Sequence, residues 1–208
     1  MFVRKEPAHV IRQVTPKDTP PEFYLTFDDG PSEAGTEAVL DLLKKHQAQA
    51  TFFVIGEKAK NQTSLIQRML AENHRVASHS CDHRYYHYFQ NREKIKLWIQ
   101  NSLTELENLT QQPQKIFRPP AGILTPPLVQ AAEELGISLI LWKHRLYDSI
   151  FSIEKNAVDQ VITSLNPGDI ILLHDHQKQK NLNQFLSSLD YLILQVCQKH
   201  WKPSSLSF

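Results

Sequence analysis

The sequence predicts an α/β fold in which parallel strands are joined by crossover helices. Short apolar runs alternate with longer segments of helical period, as expected for repeated strand–helix units. The 208 residues, of which 41% are hydrophobic, suffice for one substantial core, and no linker-like stretch divides them. We therefore expect one domain over residues 21–208, preceded by an N-terminal arm over residues 1–20. Seven strands could form either a doubly wound sheet or a barrel.

The predicted elements follow one another in strict alternation. Strands are expected near residues 22–27, 51–55, 75–78, 115–118, 138–142, 169–173 and 204–207. Helices are expected over residues 36–46, 65–72, 92–109, 126–135, 153–165 and 183–199. In the first helix, an apolar face is expected behind Thr36, which we expect to act as the N-terminal cap; the face consists of Val39, Leu40, Leu42 and Leu43.

The balance of charges excludes an extended electrostatic partner. The chain has 23 basic and 22 acidic residues, with a net charge of +1 and no basic run, so no nucleic-acid partner is expected. Two cysteines, Cys81 and Cys197, are too few for a disulfide framework and could form one bridge or remain free. No stretch approaches the roughly 18 apolar residues of a membrane span, so stable membrane insertion is not expected.

The N-terminal segment MFVRKEPAHVIRQV is charged throughout and lacks the apolar core of a signal peptide. Either the protein stays inside the cell, or an export segment has been removed from this sequence. The sequence leaves the oligomeric state open.

Titratable and polar residues collect at the carboxyl ends of the predicted strands. They are Asp28 and Asp29 after the first strand, His79 and His83 after the third, Arg118 at the end of the fourth, Asp148 beyond the fifth and His174 at the end of the sixth. Burying a carboxylate without a partner is costly, so the adjacent Asp28 and Asp29 each require one. In α/β barrels this rim carries the active site. The convergence predicts a functional site here.

The segment SHSCDH predicts a metal site. His79 and His83 would present their imidazoles to one point if the turn between them is helical, and Asp29 is available on the same rim. One aspartate and two histidines leave coordination positions open for water, as in catalytic zinc sites. The spacing alone is weak evidence, because His83 and His87 repeat it among ten histidines. His87 lies in YYHYF, which is typical of a packed or substrate-lining surface. Cys81 is not expected to be a metal ligand.

Several motifs in order resemble those of the polysaccharide deacetylases with the NodB homology domain, carbohydrate esterase family 4. TFDDGP is similar to the first family motif, HSCDH to the second, RPPAG to the third and LLHD to the fifth, and ATFFVIG is typical of the segment between the first two. The resemblance covers nearly the whole chain from about Glu22. It implies a distorted (β/α)7 barrel, TIM-barrel-like with parallel strands, over residues 21–208.

The resemblance also implies roles for individual residues. Asp29, His79 and His83 correspond to the metal ligands, Asp28 to the catalytic base, Arg118 to the arginine that holds the base, and His174 to the general acid, which Asp148 orients. On the substrate side lie Pro119, Ala121, Leu172, Tyr85 and Tyr86, with the backbone N–H of Ala121 as the oxyanion donor.

Two departures from the family pattern concern the substrate pocket. Ala121 stands where the third motif usually has an aromatic residue. The fourth motif, WKHRLYDS, keeps Trp142 and Asp148 but has Arg145 in place of its first aspartate and Ser149 in place of its final tryptophan. The chemistry is expected to be retained, whereas the apolar walls of the sugar site are reduced.

The implied function is a metal-dependent hydrolase that removes N-acetyl groups from glycans containing N-acetylglucosamine, such as peptidoglycan or chitin-like oligomers. Its cofactor would be Zn²⁺ or another divalent cation such as Co²⁺, with a metal-activated water, an aspartate base and a histidine acid. Two alternatives stay open: a catalytically impaired carbohydrate-binding protein of the same fold, and an esterase acting on O-acetylated sugars. The family suggests an extracytoplasmic or cell-envelope location.

Overall fold

The computed structural model describes residues 10–16 and 20–207 of the chain. Its strands are β1 (Val10–Ile11), β2 (Glu22–Asp28), β3 (Thr51–Val54), β4 (Arg75–Ser78), β5 (Ile116–Phe117), β6 (Ser138–Ile140), β7 (His144–Arg145), β8 (Ile170–His174) and β9 (Lys202–Ser204). Its α-helices are α1 (Glu33–Lys45), α2 (Gly56–Asn61), α3 (Thr63–Ala71), α4 (Arg92–Thr110), α5 (Pro126–Leu135), α6 (Lys155–Ser164) and α7 (Gln179–Cys197). Short 3-10 helices lie at Tyr85–Phe89 and Pro120–Gly122.

The strands form one sheet in the order β1-β6-β5-β4-β3-β2-β8-β7, and β9 pairs with the start of β2. Every pairing between these strands is parallel. Strands β2 to β6 are neighbours in chain order without the reversal of a doubly wound sheet, as in a barrel wound in one direction. The sheet curls into an incomplete barrel, which confirms the predicted distorted (β/α)7 architecture.

Part of the predicted N-terminal arm lies along the sheet. Residues 10–11 pair with β6, and the N–H of Val14 donates to the carbonyl of Gly168 at 2.8 Å. Gly168 has φ +87°, and a Cβ there would meet the Val14 carbonyl oxygen, so only glycine fits this crossing. The rest of the predicted arm, residues 1–9 and 17–19, lies outside the described residues.

Several predicted boundaries were wrong for identifiable reasons. The first helix begins after Ser32, so Thr36, predicted as its cap, lies inside the helix and is fully buried. Strand β9 ends at Ser204, where the predicted strand began, because pairing with β2 sets its register. Strands β1 and β7 have two residues each and show no period that a sequence pattern could reveal. Helix α2 was not predicted.

The alternation of side chains along the strands separates an outer from an inner layer. On β2, Phe27 packs outward on Phe52, with ring centroids 5.1 Å apart, against the apolar face of α1. The inner layer has one apolar residue from each of six strands and from the C-terminal segment: Tyr24, Phe53, Ala77, Ile116, Ile140, Ile170 and Leu206. By the period of two, Asp28, Arg118 and His174 point to this inner side, directly above that layer.

Cys81 and Cys197 are free thiols. In the described part of the chain, no helix combines the length and apolar character needed to cross a membrane.

Candidate active site

Asp28 is fixed by a buried arginine at the top of the inner layer. Arg118, which is fully buried, donates from Nη1 to Asp28 Oδ1 and to Thr26 Oγ1, each at 2.7 Å. Its Nε and Nη2 donate to the carbonyls of Ile140 and Leu141 at 3.2 Å, and the guanidinium lies 4.0 Å over the centre of the Phe53 ring. Burial lowers the pKa of Arg118, and the charge and hydrogen bond of Asp28 oppose that shift. The Asp28 carboxylate is therefore paired and held in one orientation.

A change of backbone direction at Asp29 brings its side chain to the same rim as that of Asp28. Asp29 has φ +71°, a left-handed conformation, so the strand ends there and its carboxylate turns toward the histidines. Asp29 Oδ1 lies 3.5 Å from His79 Nε2 and 3.2 Å from His83 Nε2. The ligand atoms of these three residues all lie within 4.8 Å of one another. They are brought together as the sequence predicted.

The residues fit a divalent cation. Asp29 Oδ1 is buried and has no hydrogen-bond partner. His79 directs Nδ1 at the carbonyl of Arg118, 2.8 Å away, so Nδ1 carries the proton and the lone pair of Nε2 faces Asp29. Burial lowers the pKa of His79, despite the opposing charges of Asp28 and Asp29, which favours this neutral form. Asp29 Oδ1 and His79 Nε2 are therefore two acceptors that face each other with no donor between them, and a cation would satisfy both. One carboxylate and two imidazoles form a ligand set that suits zinc.

The two histidines are presented by a loop, which corrects the expected helical turn. Ser80 and His83 have φ of +73° and +54°, both outside the helical region. The Ser80 hydroxyl accepts the His83 N–H at 2.9 Å, which closes the loop and brings the two imidazole rings 5.0 Å apart. Cys81 Sγ lies 3.1 Å from the Ser102 hydroxyl, so it contacts helix α4.

The competing pair of His83 and His87 is not formed. His87 Nε2 lies 3.1 Å from Asp82 Oδ2, and its ring stacks on Trp98 with centroids 4.5 Å apart. Within residues 10–16 and 20–207, Asp29, His79 and His83 are the one group of three His, Cys, Asp or Glu side chains that could hold a metal ion.

His174 ends β8 directly beside Asp28, its partner in the parallel pairing with β2. Its Nδ1 lies 3.0 Å from Asp148 Oδ1, and its backbone N–H donates to Asp148 Oδ2 at 2.7 Å. Burial alone would lower the pKa of His174, but the hydrogen bond and charge of Asp148, with the charges of Asp28 and Asp29, raise it above the ordinary value. This raised pKa favours the protonated imidazole, with Nδ1 bound to Asp148 and Nε2 free for another contact.

A cavity of about 300 Å³ joins these groups. It is lined by Asp28, Asp29, His79, His83, Tyr85, Ala121, Trp142, Arg145, Ser149, Ile150, Leu172 and His174. The predicted substrate residues Tyr85, Ala121 and Leu172 thus reach it. Tyr86 instead lines a neighbouring groove with Trp98, and Pro119 is buried, its carbonyl accepting the Gly122 N–H at 2.8 Å.

Three residues of the site were not predicted from the sequence. Thr26 shares the Arg118 donor with Asp28, and its position two residues before Asp28 could have revealed it. Gln177 donates to Asp148 Oδ2 at 3.0 Å, and Ile150 lines the cavity. Both lie in loops, where no periodic pattern indicates which side chains turn inward.

Comparisons with known proteins show a family match and a shared fold. Residues 15–140 match the profile of a family described as polysaccharide deacetylase. A chitooligosaccharide deacetylase of Sinorhizobium fredii is 35% identical over 155 residues, covering 74% of this chain and 72% of that protein. A peptidoglycan-N-acetylglucosamine deacetylase of Bacillus cereus is 33% identical over 153 residues, covering 73% of this chain and 71% of that protein.

A solved structure of a peptidoglycan N-acetylglucosamine deacetylase superposes with a TM-score of 0.84 at 26% identity, covering 95% of this chain and 91% of that one. The chain spans 60% to 72% of the length of four curated relatives that it matches, so these relatives extend beyond the aligned region.

Proposed function

The chain belongs to the polysaccharide deacetylase family, and we propose that it is a metal-dependent hydrolase that removes N-acetyl groups from N-acetylglucosamine-containing glycans, either peptidoglycan or chitin-like oligomers. One observation carries the proposal. A buried, arginine-paired carboxylate, a cation-fitting group of three residues and a histidine bound to Asp148 all face one cavity. Metal-assisted hydrolysis of an amide uses a cation that activates water, a general base and a general acid.

Asp29, His79 and His83 would hold the cation, which we propose to be Zn²⁺ or another divalent ion such as Co²⁺. When bound, such an ion supplies a water of lowered pKa and polarises the acyl oxygen. The protein's part is to keep both imidazoles neutral and oriented, and the hydrogen bond from His79 to the Arg118 carbonyl does this for one of them.

Asp28 acts as the general base in this proposal. Asp28 Oδ1 is occupied by Arg118, whereas Oδ2 lies 3.7 Å from His79 Nε2 and is directed to the three-residue group. The fixed carboxylate can therefore accept a proton from a water placed between it and the acyl carbon. General acid–base catalysis of this kind contributes typically about 10²–10⁴ in rate.

His174 acts as the general acid. Its Nδ1 is bound to Asp148, and we assign to Nε2 the proton that is delivered to the departing amine. A departing amine must be protonated, so the raised pKa of His174 serves this step at neutral pH. We assign to the backbone N–H of Ala121, which lines the cavity, a hydrogen bond to the developing oxyanion, where one donor is worth roughly 2.7–4 kcal/mol.

The complete set of base, acid and cation-fitting residues supports an active enzyme over an impaired carbohydrate-binding protein. The test is acetate release from chitooligosaccharides and from peptidoglycan, with and without added zinc, by the protein and by the variant Asp28→Asn. The proposal expects zinc-dependent release that the variant reduces by about 10²–10⁴. Release from O-acetylated xylan alone would favour the esterase alternative, and no release from any acetylated glycan would refute the proposal.

A further inference from the structure

Arg145 brings a second arginine to the catalytic cavity. It lies on β7 in register with Leu172 of β8, and both side chains line the cavity that contains Asp28 and His174. Its guanidinium carbon lies 4.0 Å over the centre of the Tyr147 ring and 5.8 Å from that of Trp142. These cation–π contacts hold the side chain in place and leave its donors free.

Among the described residues, no carboxylate pairs with Arg145. In the described part of the chain no carboxylate lies within 4.0 Å of its guanidinium, and its buried Nε has no hydrogen-bond partner. Asp28, which lines the cavity, is already bound to Arg118, and the buried Asp148 is bound to His174. Arg118, by contrast, makes four hydrogen bonds to protein oxygens. Burying the charged Nε donor without a hydrogen-bond partner is costly, and an acceptor on a bound ligand would remove that cost.

We propose that Arg145 binds a carboxylate of the substrate, so that the enzyme prefers acidic amino-sugar glycans to neutral ones. The inference rests on the proposed deacetylase function and deepens it. The planar guanidinium fork matches a carboxylate with two parallel hydrogen bonds, which a neutral hydroxyl cannot replace. Because Arg145 and the catalytic groups line one cavity of about 300 Å³, the carboxylate lies on the sugar that carries the acetamide or on its immediate neighbour.

The two sources of such a carboxylate can be separated with defined oligosaccharides. One substrate carries a lactyl ether carboxylate on the acetylated sugar, and a second carries a uronic acid next to it. The methyl ester of each is the matched neutral control. For the source that the enzyme uses, kcat/KM for acetate release should exceed that of the methyl ester by about 10- to 100-fold, the scale of a charge-assisted hydrogen bond. Equal values for acid and ester in both series would overturn the proposal.

Variants locate the effect at Arg145. Arg145→Met should abolish the preference, so that kcat/KM for the acid and for its methyl ester become equal, and Arg145→Lys should keep part of the preference because a point charge remains without the fork. Lys178→Met is the control, since it removes an exposed positive charge of the loop after β8 that does not line the cavity. A loss of preference in Lys178→Met as large as in Arg145→Met would assign the effect to long-range charge and refute the proposal.

Binding keeps this inference separate from the proposed function. Titration calorimetry of the zinc-loaded protein with the acid and its methyl ester reports recognition without turnover, and the melting temperature of each variant reports folding. The inference is supported if the protein binds the acid more tightly than the ester and Arg145→Lys keeps part of that difference. This holds even if no acetate is released, in which case only the proposed function fails. Release of acetate with equal binding of acid and ester refutes the inference alone.

Discussion

Replacing Arg118 by methionine tests whether the site is built on a buried ion pair. The side chain of Arg118 is fully buried, and that of Asp28 is 4% exposed, so water cannot take the place of the lost partner. The substitution removes four hydrogen bonds and leaves the Asp28 carboxylate, Thr26 and two carbonyls without their donor. Breaking a buried pair by removing one partner typically costs about 3–5 kcal/mol. For a chain of this length, that corresponds to a fall in melting temperature of roughly 6–20 °C.

The measurement is urea unfolding of Arg118→Met, Asp28→Asn and the double variant, with chelator in every sample so that metal binding does not add to stability. The double variant no longer carries the unpaired Asp28 carboxylate. Its free energy of unfolding should therefore be about 1–3 kcal/mol higher than the sum of the two single changes predicts. Arg84→Met is the control, because that side chain is 65% exposed, and it should change stability by less than about 0.5 kcal/mol. A cost below about 1 kcal/mol for Arg118→Met, or strict additivity in the cycle, would refute the reasoning.

The remaining predictions concern the chemistry. Asp28→Asn should keep zinc affinity nearly unchanged while lowering kcat by about 10²–10⁴, and a fully active variant would mean that another group takes the proton. His83→Ala should weaken zinc binding by more than about 100-fold, since even groups that only orient metal ligands contribute about 10–100-fold, whereas His87→Ala should leave it unchanged. Weakened zinc binding in His87→Ala, with unchanged binding in His83→Ala, would show that the metal ligands include His87 and not His83. Asp148→Asn removes the partner that raises the pKa of His174 while its burial remains, so this pKa should fall. Because the acid works only when protonated, activity is lost as pH rises through its pKa, and the alkaline limb of kcat should shift to lower pH; an unchanged limb would exclude His174 as the acid. With two aromatic walls replaced by Ala121 and Ser149, kcat/KM should be clearly lower for chitobiose than for longer glycans, and equal values would contradict this.

Much of the site could be predicted because strand ends obey simple rules. Alternation along β2 requires Asp28 to point inward where Phe27 points outward, and the carboxyl ends of parallel strands meet on one rim. Asp28, Arg118 and His174 all lie on or directly beside strands, so their placement followed from the strand predictions. The arrangement of Asp29 with His79 and His83 was also predicted correctly, although for His79 and His83 the assumed local conformation was wrong.

What could not be predicted depends on loops and on contacts between distant segments. The conformation of residues 79–83 is set by single left-handed residues and by the Ser80 hydroxyl, none of which has a periodic signal. Thr36 looked like a helix cap because its sequence context is suitable, yet its hydroxyl hydrogen-bonds to Asp175, 139 positions along the chain. The stacking of Arg145 on Tyr147 depends on the two-residue strand β7, which has no pattern of its own.

The pairing of Asp28 with His174 across β2 and β8 has an evolutionary consequence. The proposed base and the proposed acid are spaced by the backbone ladder between two central strands, so insertions or replacements in the rim loops leave their separation unchanged. The walls of the cavity, by contrast, come largely from loops such as the one that contributes Ser149 and Ile150. Grafting that loop from a relative should therefore exchange the preferred glycan without rebuilding the proton-transfer machinery, and a lineage can diversify its substrates by the same route.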